Sequence, residues 1–208
     1  MNTRYIDLGY PLLHWAKDII VICPKCQHDA RIKGNPSWRD WAAELFCSHC
    51  GYNCKTTTRT EGWHGNFVAS GRRPCCSCGY KWVSVRKTLT DASQLLADEM
   101  NARCQNCQTV NKVPVTHSRA IPADHAIDPF FGLDLALKAP TRHGTIWVYG
   151  TPHLQELKCY TIANLRENGA VSPNSSYFSR LPAWIKSAKN RELVLKALEK
   201  LALRAGKI

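Results

Sequence analysis

The stretch Cys23-Pro-Lys-Cys26 to Cys47-Ser-His-Cys50, CPKCQHDARIKGNPSWRDWAAELFCSHC over residues 23–50, decides the reading of this chain. It holds two cysteine pairs, each with a gap of two residues. A second stretch repeats the device, from Cys75-Cys76-Ser77-Cys78 to Cys104-Gln-Asn-Cys107. A Cys-x-x-Cys pair can form a knuckle, a tight turn that aims two sulfurs at one metal ion. Two knuckles complete a tetrahedral four-sulfur site. The expected ligands are therefore Cys23, Cys26, Cys47 and Cys50, with Cys75, Cys78, Cys104 and Cys107, holding two structural Zn2+ ions. Four thiolates around each ion leave no open position for water.

The four knuckles are of two kinds. The first and fourth are followed by Gln27 and Gln108, the second and third by Gly51-Tyr52 and Gly79-Tyr80. The order A-B-B-A suggests two AB units of reversed order. Twenty residues separate Cys26 from Cys47 and twenty-five separate Cys78 from Cys104. This spacing favours pairing first with second and third with fourth. A cross-braced arrangement, first with third, also keeps one knuckle of each kind and stays open.

Outward from the knuckles, the pattern is one of short strands. Ile19 to Ile22 is a β-branched run entering the first knuckle, and Asp29 to Lys33 returns until Gly34-Asn35-Pro36 breaks it. Ser37 caps a short helix through Trp38, Trp41, Ala42 and Leu45. Tyr52–Thr60, Trp63–Ser70, Lys81–Lys87 and Val110–Val115 read as strands, and Ala92–Met100, after Asp91, as a helix. Residues 121–143 form a linker by composition, although Phe130, Phe131, Leu133 and Leu135 suggest docking on a neighbour.

Residues 144–208 read as a small α/β unit. Gly144–Gly150 (GTIWVYG) is a strand and Thr151-Pro152 opens a helix that Gly169 ends. Val171–Tyr177 is a polar loop, a short helix begins at Ser179 or Arg180, and Asn190 caps a last helix. Val194, Ala197, Leu198 and Leu201 share one face of that helix. The fold class is thus α+β, with a first zinc ribbon at 1–62, a second at 63–120, the linker, and the C-terminal unit.

The composition of 28 Lys+Arg against 16 Asp+Glu gives a formal charge of +12. Eight thiolates on two zinc ions reduce this to about +8, still basic enough to favour a polyanion as partner. Lys55, Arg59, Arg72, Arg73, Lys81, Arg86 and Lys87 lie near Tyr52, Trp63, Tyr80 and Trp82. Cations beside aromatics are how ribbon-like folds hold single strands of nucleic acid. The bland reading is that Trp63 and Trp82 are the core of a thin domain, and the strand pattern leans that way for Trp82. A second basic cluster, Arg180, Lys186, Lys189, Arg191, Lys196, Lys200, Arg204 and Lys207, is evenly divided between a phosphate-facing role and a solvated face with a Glu192–Lys196 pair.

From Phe130 through Trp147-Val148-Tyr149, and then over Ser179–Glu192 (SRLPAWIKSAKNRE), the chain resembles the C-terminal part of a bacterial family with zinc ribbons ahead of that segment. Its members are described as transcription-factor-type zinc-ribbon proteins. The resemblance covers most of the chain and is most specific in SRLPAWIKSAKNRE. It implies zinc binding and a bacterial cytosolic setting, and it supplies no activity.

Enzymatic signatures are missing. There is no HExxH, GxSxG or phosphate-binding glycine loop. Pro74-Cys75-x-x-Cys78 matches half of the zinc-deaminase signature, without the upstream His-x-Glu. His49 lies inside a knuckle and reads as an exposed turn residue. Cys54 reads as a packed thiol, Cys76 as a poorer ligand than Cys75, and Cys159 as helix core. Residues 1–18 carry Arg4, Asp7, Lys17 and Asp18 and no sustained apolar run of a signal peptide. No stretch reaches the length of a membrane span, and paired CxxC motifs of this kind belong to cytoplasmic metal proteins. The expectation is a non-enzymatic, zinc-dependent nucleic-acid-binding protein, binding DNA or RNA. The alternative is a protein-binding module, such as an immunity protein or antitoxin that covers a toxin, or an adaptor.

Overall fold

The computed structural model describes residues 4–36, 41–58, 62–64, 66–90, 98–119, 126–169 and 176–207. The chain is α+β, with small, mainly antiparallel sheets and a C-terminal helix. It divides into two compact units, residues 1–62 with 124–208, and residues 63–123.

The first unit begins with β1 (Arg4–Asp7), which pairs in parallel with the distant β13 (Leu165–Asn168). Next comes a four-stranded antiparallel sheet, β2 (Asp18–Ile22), β3 (Asp29–Pro36), β4 (Trp41–Phe46) and β5 (Asn53–Thr56), in sequential order. The helix expected from Ser37 does not form over residues 41–46, which are strand; residues 37–40 lie outside the described residues. The apparent helical spacing of Trp41, Ala42 and Leu45 loses to period-two burial, with Ala43 and Leu45 inward and Glu44 and Phe46 outward. Nor does Gly34-Asn35-Pro36 break β3, which runs on to Pro36 opposite Trp41. Gly34 makes room instead: a Cβ there would sit 2.3 Å from the Phe130 ring.

Phe130 belongs to the stretch read as a linker. Its described part is instead the centre of the first unit's core. Phe130, Phe131, Leu135 and Leu137 are fully buried with Ile19, Ile32 and Leu45 of the ribbon. Asp128 folds this stretch, since its carboxylate accepts the backbone N–H groups of Phe130, Phe131 and Leu133 at 2.6–2.8 Å. A composition-based reading takes Asp, Pro and Gly as solvent-facing punctuation. Here they shape a buried turn. The hairpin of β11 (Lys138–Thr141) and β12 (Gly144–Trp147) follows. The helix α1 (Thr151–Ile162) begins one residue earlier than expected, with Gly150 and not Thr151 at its N-cap, and stops before Leu165, which is already in β13. After a one-turn helix α2 (Ala183–Lys186), α3 (Arg191–Ala205) buries Val194, Ala197, Leu198 and Leu201 on one face. Asn190 precedes α3 without capping it; its amide donates to the Trp184 carbonyl. Of the loop at 171–177, residues 171–175 lie outside the described residues.

The second unit has a three-stranded sheet in the order β10 (Thr116–Arg119), β6 (Phe67–Arg73), β7 (Val83–Leu89). A separate hairpin joins β8 (Glu99–Arg103) to β9 (Val110–Pro114). A helix was expected over 92–100. Residues 91–97 lie outside the described residues, and Glu99 and Met100 pair with Pro114 and Val113 as strand. At Gly71 a Cβ would fall 1.9 Å from the Pro114 carbonyl oxygen, so only glycine lets β6 and β9 approach this closely. Around the cysteines the core is small, formed by Cys75, Val83, Cys104 and Val113.

Candidate metal centres and basic surface

All four knuckles are built alike. The backbone N–H of the residue after the second cysteine donates to the carbonyl of the first: Gln27 to Cys23, Gly51 to Cys47, Gly79 to Cys75 and Gln108 to Cys104, at 2.9–3.1 Å. The first cysteine's own N–H then donates to His28, Tyr52, Tyr80 and Thr109 respectively, at 2.7–3.0 Å. That closure needs a left-handed residue, with φ of 69° at Gly51 and Gly79 and 62° at Gln27 and Gln108. The two glutamines accept a conformation that glycine takes at no cost. The A and B knuckles therefore share one backbone and differ in how that turn is filled.

The knuckles pair first with second and third with fourth. Cys23, Cys26, Cys47 and Cys50 form one cluster; Cys75, Cys78, Cys104 and Cys107 form the other. In the first, Cys23 lies 3.7 Å from Cys50 and Cys26 lies 3.6 Å from Cys47, sulfur to sulfur. In the second, Cys104 lies 3.7 Å from Cys78 and Cys107 lies 3.6 Å from Cys75. Tetrahedral zinc with bonds of about 2.3 Å needs sulfurs about 3.8 Å apart, so the spacing fits such an ion. Backbone N–H groups of Cys78 and Ser77 pull the Cys75 thiol down to about 6. Against the upward push of burial, those of Cys50 and His49 pull Cys47 down to about 7. Both supply thiolate near neutral pH, which is the ligand form.

Surroundings distinguish the two clusters. In the second, the buried Asn111 amide lies 3.6 Å from the Cys75 sulfur and donates to the Thr109 carbonyl, while its oxygen accepts the Cys76 N–H. Asn106 reaches Cys78 at 3.5 Å. These amides hold the ligand loops and were not foreseen from the sequence. At the rim of the first cluster the imidazoles of His28 and His49 stack, centroids 3.5 Å apart. Of the surplus cysteines, Cys54 is half-buried, whereas Cys76 is exposed. Cys159 is exposed too, not core as expected.

The basic residues expected to act together are divided. In the second unit, Arg72 pairs across strands with Ser84, Ser70 with Arg86, Val68 with Thr88, Ser70 with Thr116 and Val68 with Ser118. Directly opposed residues share a face. One face of β10-β6-β7 thus carries Arg72 and Arg86 among Ser70, Ser84, Thr88, Thr116 and Ser118. Trp82, two residues before Ser84, falls on this face, and its ring lies under the Arg72 guanidinium at 4.5 Å. Trp82 is 45% exposed, not core. Trp63 is 9% exposed, with its indole N–H on the Asn66 carbonyl and Arg119 over its ring. Arg73 and Lys87 alternate to the opposite face. Arg73 is spent on the Lys112 carbonyl of β9 at 3.1 Å. Lys81 is exposed. Lys55 belongs to the other unit and pairs with Glu44 at 3.1 Å. Arg59 lies outside the described residues.

The C-terminal cations are largely engaged. Lys186 donates to the Ser179 carbonyl, and Arg191 to Asn164 Oδ1 and the Ala163 carbonyl at the end of α1. The SRLPAWIKSAKNRE segment thus uses its polar side chains to satisfy backbone. Lys196 pairs with Glu192 at 2.7 Å and Arg204 with Asp29 at 3.1 Å.

Fold and clusters define an α+β protein with two ribbon-type tetracysteine clusters, each able to hold a metal ion. No protein-family model matches the chain, nor does any curated protein or solved structure. No helix among the described residues is long and apolar enough to cross a membrane.

Proposed function

We propose that this is a non-enzymatic protein, stabilised by two structural zinc ions, that binds single-stranded nucleic acid through the β10-β6-β7 face of its second ribbon. The observation that carries this reading is Arg72 lying on the exposed ring of Trp82, with Arg86 on the same hydroxyl-rich face. Arginines neutralise phosphates, hydroxyls hydrogen-bond to them, and the indole offers a base-stacking platform. A bacterial cytoplasmic setting follows from the family resemblance and belongs to the same proposal.

Exposed Tyr80 and Trp82 beside the third knuckle favour a second reading, a protein partner such as a toxin that this chain would cover. Fluorescence anisotropy with mixed-sequence DNA and RNA, single- and double-stranded, at several salt concentrations separates the two. With about three to five phosphate contacts, log affinity should fall against log salt with a slope of roughly −2 to −4 on single strands. Arg72→Ala with Arg86→Ala should make the slope shallower by about 1.4, while Arg73→Ala should leave it unchanged. Trp82→Ala should weaken binding at every salt concentration by about 1–3 kcal/mol. No binding tighter than about 0.1 mM at low salt removes nucleic acid as partner. A salt-resistant complex co-purifying from the native host would then favour the protein reading.

A further inference from the structure

The two metal centres are an internal comparison. Matching knuckle to knuckle makes Cys26 the counterpart of Cys107 and Cys47 that of Cys75; within each centre, the sulfurs of Cys26 and Cys47, and of Cys107 and Cys75, lie 3.6 Å apart. His28 then corresponds to Thr109, because each follows a left-handed glutamine and accepts the N–H of the first cysteine of its knuckle. His49 corresponds to Ser77, the third residue of its knuckle. The second centre carries hydroxyls at both positions, and Thr109 Oγ1 lies 3.4 Å from the Cys107 sulfur. In the first centre, both are imidazoles.

Those imidazoles come from opposite knuckles and meet over the rim. Their rings are 9° from parallel and 3.5 Å apart, and both are exposed. One ligand atom from each lies within 4.8 Å of the other and of the half-buried Cys26 sulfur. His28 Nδ1 donates to the Cys26 carbonyl oxygen at 2.9 Å, which leaves the lone pair on Nε2. A ring N–H held by a carbonyl is the usual outer partner of a metal-binding histidine. Four thiolates around one divalent ion carry a net charge of −2, so a further cation beside them is electrostatically favoured. A coordinated thiolate keeps lone pairs with which it can bridge.

We propose that Cys26, His28 and His49 form a rim site for a third metal ion, of the borderline-to-soft class that accepts mixed thiolate and imidazole ligands, with the Cys26 thiolate bridging to the structural ion. Bonds of about 2.0–2.3 Å require ligand atoms about 3.3–3.8 Å apart, and an ion held by both imidazoles must lie in the plane of each ring, so the exposed rings turn out of their parallel stack when the set closes. Three protein ligands leave a tetrahedral ion one position for water. This third ion is therefore exchangeable, unlike the enclosed pair.

The test uses the full chain purified with two zinc ions, dialysed against buffered series of Zn2+, with metal content measured by mass spectrometry. A third equivalent is expected, which loads last and leaves on dialysis. His28→Phe and His49→Phe keep a flat ring in the stack and delete the ligand nitrogens. Each should weaken the third equivalent at least about tenfold, with two ions retained. Imidazole NMR signals of His28 and His49 should shift with the third equivalent. Loading that stops at two ions, or a third ion that persists in the double variant, overturns the proposal.

Discussion

In the first ribbon, Cys23 and Cys47 are fully buried in a core that also contains Ile32, Leu45, Phe130, Leu157 and Leu198. In the second, among the described residues, Cys75 and Cys104 cluster with Val83 and Val113, with Val85, Ala102 and Cys107 at the edge. The sulfur spacing is nevertheless the same. Knuckle geometry is thus a local product of backbone hydrogen bonds and a left-handed turn, whereas tolerance of metal loss is a product of what the knuckles pack on. A ribbon with little apolar burial cannot offset chain entropy without its ion.

The largest expected effect breaks the molecule along that line. Cys104→Ser should remove one zinc equivalent. The free energy of a structural zinc site, about 10–16 kcal/mol in small domains, far exceeds what the second ribbon's core can replace. Amides of β6 to β9 should lose hydrogen-exchange protection, while those of α1 and α3 keep theirs. Simultaneous loss in both units would show that the second ribbon does not depend on its metal separately.

A smaller effect sharpens the comparison at the ligands. Asn111 is 1% exposed and ties the third knuckle to the strand after the fourth. Asn111→Ala leaves the Cys76 N–H without its partner and should cost the second unit about 1–3 kcal/mol. Zinc release to a chromophoric chelator should quicken from this centre alone. Equal quickening at both centres would remove Asn111 as the source of the difference.

Much of this was legible in the sequence, because cysteine spacing reports chemistry directly. The eight cysteines that form the two clusters and the apolar face of α3 were readable, while the spacing favoured the observed pairing and left the cross-braced one open. The failures have one cause, that local pattern was overridden by tertiary partners. Trp41 and Leu45 sit at helical spacing, yet β3 pairs with both and β5 pairs with Leu45 on the other side. Gly34 looks like a strand breaker until Phe130 fills the space above it. The alternation that marks β6 and β7 as strands also puts Arg72 and Arg73 on opposite faces. The His28–His49 stack joins residues from two knuckles, and no spacing within either one announces it.

The smallest effect concerns a buried histidine of the first unit. His153, in the first turn of α1, is fully buried among Trp15, Trp147, Tyr149 and Tyr177. The Tyr149 N–H lies 3.2 Å from Nδ1, so the neutral tautomer carries its proton on Nε2. Burial pushes the imidazole pKa down to about 3. The folded value lies below the unfolded one of about 6.5. Stability from keeping this ring neutral is therefore complete above pH 6.5 and is lost progressively as pH falls towards 3. Between pH 7.5 and 5.5 the first unit should lose about 1.4 kcal/mol from this residue. Exchange of the slowest amides in α1 and α3, with zinc content checked across the range, measures that loss. His153→Phe keeps a flat ring but strands the Tyr149 N–H, so it should lower stability at pH 7.5 and flatten the dependence on pH. A variant as pH-sensitive as the original would place the acid sensitivity elsewhere, and the aromatic box around His153 would then be packing alone.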